Sequence, residues 1–150
     1  MKNLHEILKK ENYKKIKFKI TKTQHLLIKA KINGVAGNFI LDTGASSSCV
    51  GFESVELFLL KAKKSKTKDI EEIESLIQAS GMLTQLSIKN HLQLGQWKEE
   101  KLNLVIFDLS HVNEALIQHK AKPVHGIIGA DILMKGKAIV DYYNHYLYLL

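Results

Sequence analysis

Arginine is absent from all 150 residues, and cysteine and proline occur once each. No stretch approaches the roughly 20 apolar residues that span a bilayer. Each scarcity argues against a class of protein. The lone Cys49 can form neither an internal disulfide nor a Cys-x-x-Cys site, and its apolar surroundings make it a small buried hydrophobe rather than a nucleophile. The nine glycines are not grouped as a phosphate loop, and no Gly-x-Ser-x-Gly elbow surrounds Ser46, Ser47 or Ser48. The seven histidines never fall into His-Glu-x-x-His spacing and read as scattered surface residues. Neither a metal nor another cofactor is expected. The opening Met1-Lys2-Asn3-Leu4-His5-Glu6 has no apolar leader core; with the single thiol, this makes a reducing, cytoplasmic setting the expectation.

The net charge of +7 raises nucleic acid as a partner. Without arginine, however, the chain lacks the fork that grips phosphates and base edges in two places at once. The lysines lie near both ends and in one run, residues 61–68, and read as solvated strand faces and a charged surface segment. Neither a nucleic-acid nor a membrane partner is expected. A basic nucleic-acid binder stays open as a third reading, marked by steep loss of affinity with salt.

The rest of the composition is that of one globular domain: 45% hydrophobic and 25% charged residues, enough for a core. Helical spacing of Leu4, Ile7 and Leu8 predicts a short helix over residues 3–11. Alternation predicts strands over 15–20, 25–32 and 35–41, the last two joined by the hairpin signal Asn33-Gly34. A strand over 48–52 and a helix over 53–62 follow. Strands over 73–77 and 82–88 bracket a hairpin tip at 78–81, with a helical reading of Ile70, Ile73 and Ile77 in competition. Further strands are expected over 92–95 and 102–107, and then a helix capped by Ser110 that runs to about Lys120 before Pro123. The last elements are a strand over 126–129, a short helix capped by Asp131, and a hairpin around Asn144. The pattern is mainly β with a few short helices, without repeats.

One stretch stands apart. Phe39-Ile40-Leu41 runs straight into Asp42-Thr43-Gly44-Ala45-Ser46, a carboxylate at the tip of a buried strand. Such a group needs hydrogen-bond support, which the Thr hydroxyl and the close-approaching Gly N–H can give. An ordinary strand-to-turn Asp is the plain alternative, since Asp, Gly and Ser are common turn residues. A second motif, Gly126-Ile127-Ile128-Gly129-Ala130-Asp131-Ile132-Leu133, places two apolar residues and a Gly before a short helix.

In this order the two motifs resemble the retropepsin-like aspartic proteases. The ending Ala138-Ile139-Val140-Asp141-Tyr142 and its Leu/Tyr-rich strand are particularly similar to bacterial single-domain members. The resemblance covers residues 25–150 and leaves 1–24 as an N-terminal extension of a helix plus a strand. Activation by removal of residues 1–20 is a hypothesis their position prompts. The implied fold is a small closed β-barrel-like domain with a few short helices, one lobe per chain.

The implied activity is endopeptidase hydrolysis of protein or peptide substrates by a homodimer, because the chemistry needs two carboxyls and this chain carries one Asp-Thr-Gly. By the same resemblance Asp42, Thr43 and Gly44 are catalytic, with Thr43 bonding across the dyad. Ala45 and Ser46 contact substrate together with Ala79, Ser80 and Gly81 of a flap, and Ile127, Ile128 and Gly129 pack beneath the active-site loop. Pepsin-like enzymes carry a hydroxyl at the position of Ala45, which favours the charged carboxylate; its absence here implies a less acidic pH optimum. The candidate flap departs from the pepsin-like pattern in lacking an aromatic residue. A catalytically silent dimer that binds peptides or scaffolds a partner is the alternative.

Overall fold

The computed structural model describes residues 3–61 and 85–150. Helix α1 (Leu4–Lys10) leads into β1 (Lys14–Ile20), where buried Ile16 and Phe18 alternate with exposed lysines. The same alternation makes β2 (Leu26–Ile32), which buries Leu26, Ile28, Ala30 and Ile32. Asn33 and Gly34 take φ of 50° and 83°, the left-handed pair a tight hairpin requires, and return the chain as β3 (Val35–Leu41). Next come β4 (Cys49–Gly51), β5 (Gln85–Leu94), β6 (Trp97–Phe107), helix α2 (Ser110–Gln118), β7 (Gly126–Ile128), helix α3 (Ala130–Lys135), β8 (Ile139–Asp141) and β9 (Tyr146–Leu149).

The strands run β3-β7-β4-β6-β5-β2, and β2 pairs back onto β3, closing a six-stranded barrel. Two pairings in the ring are parallel, β3 with β7 and β4 with β6. The mainly β architecture expected from the sequence is therefore present, closure included. Strand β1 leaves the ring: Phe18 to Ile20 pair with β2, while Lys14 to Lys17 pair with β9, which β8 flanks. Inside the barrel Ile28, Ile32, Phe39, Phe58, Leu104 and Ile128 are fully enclosed. Outside it, α2 lays Leu116 against Ile40 and Val124.

Several local expectations change. In the described part of the expected 53–62 helix, residues 53–61, the chain is not α-helical; a short 3-10 turn, Phe52–Ser54, is followed by turns, because Leu59 takes φ of 57° and Phe58 dives into the core. The Asn33 side-chain amide donates to the Phe58 carbonyl at 2.8 Å and fixes that turn. Strand β5 is continuous where two strands were expected, its register shifted between Ser87 and Leu92, with Lys89 at φ 58°. Strand β6 begins at Trp97, ahead of the expected start, because Gly95 at φ 57° allows a turn that sets Leu94 opposite Trp97. Ser110 does not cap α2; its N–H is held by the Asp108 carboxylate at 2.8 Å. The predicted segments at 73–77 and 78–81, and most of the lysine-rich run, lie outside the described residues.

Candidate active site

Asp42 follows β3 directly, and the local sequence puts it there. Leu41 ends the buried strand opposite Ile128 of the parallel neighbour β7, and the next N–H, that of Asp42, donates to the Ile128 carbonyl at 2.9 Å. Two residues on, the Gly44 N–H donates to Asp42 Oδ1 at 2.8 Å. A Cβ on Gly44 would stand 3.2 Å from that same oxygen, a tight approach that the carboxylate would have to yield to by a few tenths of an ångström. Asp42, Thr43, Gly44 and Ser46 are exposed and Ala45 is half-buried. A fixed carboxylate thus stands at the solvent-facing end of two buried strands.

The second motif holds this loop from below. Ala130 N–H donates to the Ala45 carbonyl at 2.7 Å, and a Cβ on Gly129 would meet that carbonyl oxygen at 2.6 Å, so only glycine lets the two segments approach. Ile128 turns into the barrel core, while Ile127 packs on the outer side near Cys49 and Ile40. The structure thus brings Asp42, Thr43, Gly44, Ala45 and Ser46 together with Ile127, Ile128 and Gly129. Ala79, Ser80 and Gly81 lie outside the described residues.

Sequence reasoning missed the clamp between the motifs. Asp131 was expected to cap α3, but Gly129 occupies the cap position. The Asp131 carboxylate reaches the neighbouring loop instead, accepting from Ser48 N–H at 3.0 Å to each oxygen and from Ser48 Oγ at 2.7 Å. Ser48 Oγ in turn accepts from Gly129 N–H at 2.9 Å, and Ser48 is fully buried. The available signal was one polar residue at each place, Ser48 two positions after the first motif and Asp131 within the second, each of which also has an ordinary local use. Ser48→Ala orphans the buried Gly129 N–H and removes a donor to Asp131, a loss expected to be about 1–3 kcal/mol. Urea unfolding reads it directly; an unmoved midpoint would show that the clamp contributes nothing.

Cys49 is buried, as its apolar setting suggested. Burial pushes its thiol up to about 12; the charges of Asp131 and Asp42 add to this, and a hydrogen bond from the Ile127 backbone opposes it. With so little thiolate, Cys49 of the folded protein should resist iodoacetamide at pH 8 and react once urea unfolds the chain. Rapid labelling of the folded protein would contradict this burial. Among the described residues no group of three or more His, Cys, Asp or Glu could hold a metal ion, and no helix is long and apolar enough to cross a membrane.

A family model described as aspartyl protease matches residues 28–132, a span that contains the first motif, all but the last residue of the second, and the Ser48–Asp131 clamp. Among solved structures, the fold is similar to that of a retropepsin-like aspartic protease from Rickettsia conorii. The two share 18% identity and a TM-score of 0.55, over 91% of this chain and 90% of that one. It is also similar to the retroviral protease-like domain of Ddi1 from Leishmania major, at 14% identity and a TM-score of 0.56, covering 83% of this chain and 87% of the other. No curated protein matches the chain in sequence.

Proposed function

The chain belongs to the aspartyl protease family, and from that premise we propose that it is a homodimeric endopeptidase whose two Asp42 carboxyls meet at a two-fold axis. The observation that carries this reading is the Asp42 tip itself: a single carboxylate, held by the Gly44 N–H at 2.8 Å and exposed at the end of paired buried strands. A single carboxyl can serve as the base or as the acid, but not as both at once. A second copy supplies the other without any further residue.

Two carboxyls about 3 Å apart share one proton, the established behaviour of aspartic proteases. The ionised member takes a proton from water, whose oxygen bonds to the peptide carbonyl carbon. The protonated member gives its proton to the carbonyl oxygen, leaving a tetrahedral diol. Collapse breaks the C–N bond as the carboxyl that took water's proton passes it to the nitrogen, which leaves as an amine. A diol hydroxyl gives its proton to the other carboxylate, and the new carboxylic acid departs. In this reading Thr43 ties the two loops together, and Ala45 and Ser46 line the substrate channel. The reading also assigns substrate contact to Ala79, Ser80 and Gly81, which lie outside the described residues. Ile127, Ile128 and Gly129 keep the loop at one height. A buried lone thiol fits a reducing, cytoplasmic setting.

Sedimentation across micromolar concentrations at neutral pH is the test, followed by a peptide-library screen on the species found. A dimer that cleaves peptides is expected. A strict monomer would leave Asp42 without its partner and end the self-sufficient protease reading. A stable dimer that cleaves no peptide would turn it into a peptide-binding or scaffolding module.

A further inference from the structure

The lysines look dispersed along the chain, but folding collects them. In β1, Lys15, Lys17 and Lys19 are exposed around buried Ile16 and Phe18; in β2, Lys29 and Lys31 are exposed around buried Ile28, Ala30 and Ile32. Lys19 lies opposite Leu27, so alternate positions of the two strands share one outer face where they pair, and Lys15 and Lys17 continue that side of β1 alongside β9. The register continues that face from Lys31 through Gln93 on β5 to Lys98 on β6. Six ammonium groups therefore stand on one sheet surface.

Little negative charge answers them. Among the described residues the one salt bridge, Lys135 to Glu99, involves none of the six. Asp141, opposite Tyr146, is buried and accepts from the Asn144 N–H and side-chain amide at 3.1 and 3.0 Å. Exposed Glu100 is the nearest exposed carboxylate along β6 from Lys98. The lysine ammoniums at 15 and 17 stand 4.5 and 5.7 Å over the Tyr146 ring, which holds that end of the row in place.

We propose that this lysine face is an exosite that captures acidic stretches of protein substrates, a proposal that rests on the endopeptidase reading. Alternate residues of a strand recur at about 6.6–6.8 Å, which is also the repeat at which an extended peptide presents alternate carboxylates. Single ammoniums suit carboxylates, whereas paired contacts with phosphates favour the guanidinium that this chain lacks. The one aromatic ring in the row is covered by amines, so it offers no platform on which bases can stack. Charge pairs on so open a surface are screened by salt, and so capture must weaken as salt rises.

The experiment uses the full chain carrying Asp42→Asn, so that binding is read without cleavage. The probe is a fluorescein-labelled peptide of alternating Glu and Ser. Binding is expected at low salt, with affinity falling about tenfold or more at physiological ionic strength. Combined Lys17→Glu, Lys19→Glu, Lys29→Glu and Lys31→Glu should weaken it by at least about tenfold, or about 1.4 kcal/mol. A charge-matched control, Lys61→Glu, Lys101→Glu, Lys122→Glu and Lys137→Glu, touches neither β1 nor β2 and should bind nearly as the parent does. If the Glu set fails to fold, the same four positions as Gln give the reading, with a smaller loss expected. No binding, equal loss in both sets, or tighter binding to an RNA oligonucleotide or to phosphatidylglycerol vesicles would overturn the acidic-peptide exosite. Binding that depends on the face in a chain whose wild type cleaves nothing would instead count against the endopeptidase reading alone.

Discussion

Asp42→Asn is expected to leave the fold and the dimer intact and to lower peptide cleavage at least about 10³-fold, because general acid–base assistance is worth about 10²–10⁴ and both members of the pair are lost together. Asn has nearly the same shape and retains a carbonyl oxygen for the Gly44 N–H, which donates at 2.8 Å in the native loop. What it loses is the capacity to take a proton from water. Mixing provides a sharper check. If equal amounts of wild type and variant exchange freely, about a quarter of the dimers keep two carboxyls, and activity per total protein should fall to about a quarter of the wild-type value. Activity proportional to the wild-type share would mean that each chain works alone. The pH profile adds an independent constraint: with Ala45 where a hydroxyl would favour the charged pair, activity should extend to mildly acidic pH. A profile confined below about pH 4 would contradict that account.

The parts of this site that were legible in the sequence share one property: their cause is local. Asn33 and Gly34 adopt the positive φ their chemistry permits, so the β2–β3 hairpin and the delivery of Asp42 to a strand end could be read from neighbours in the chain. Gly129 entered only through the family resemblance, since the group its missing Cβ admits, the Ala45 carbonyl, is far away in the chain. The parts that stayed hidden depend on distant partners. Nothing near Leu41 announces that Ile128 will lie beside it in parallel. Residues 98–101 are all charged, and they form a strand because β5 supplies the opposite ladder. Phe58 looked helical because its apolar neighbours have helical spacing; a place inside the barrel against Phe39 outweighed that preference. Asp131 shows the same conflict at the site itself: its local use is a helix cap, and the fold gives it to Ser48.

Removing residues 1–20 is expected to destroy the cooperative fold rather than to release an active enzyme. The family match begins at residue 28, and likeness alone would make the preceding segment look dispensable. Its contacts argue otherwise. Strand β1 is the bridge between β2 and β9, and its loss exposes a backbone edge on each. Ile16 and Phe18 leave the core with it, as does Leu8 of α1, and the Tyr13 hydroxyl no longer donates to the Lys137 carbonyl at 2.9 Å. Losing a single buried Phe or Ile side chain commonly costs about 2–5 kcal/mol, so two such losses rival the whole stability of an ordinary domain, about 5–15 kcal/mol. The truncated chain should show no sigmoidal urea transition and rapid proteolysis. An unmoved urea midpoint together with faster peptide cleavage would instead identify residues 1–20 as a removable regulatory segment, and β1 as a strand the barrel can do without.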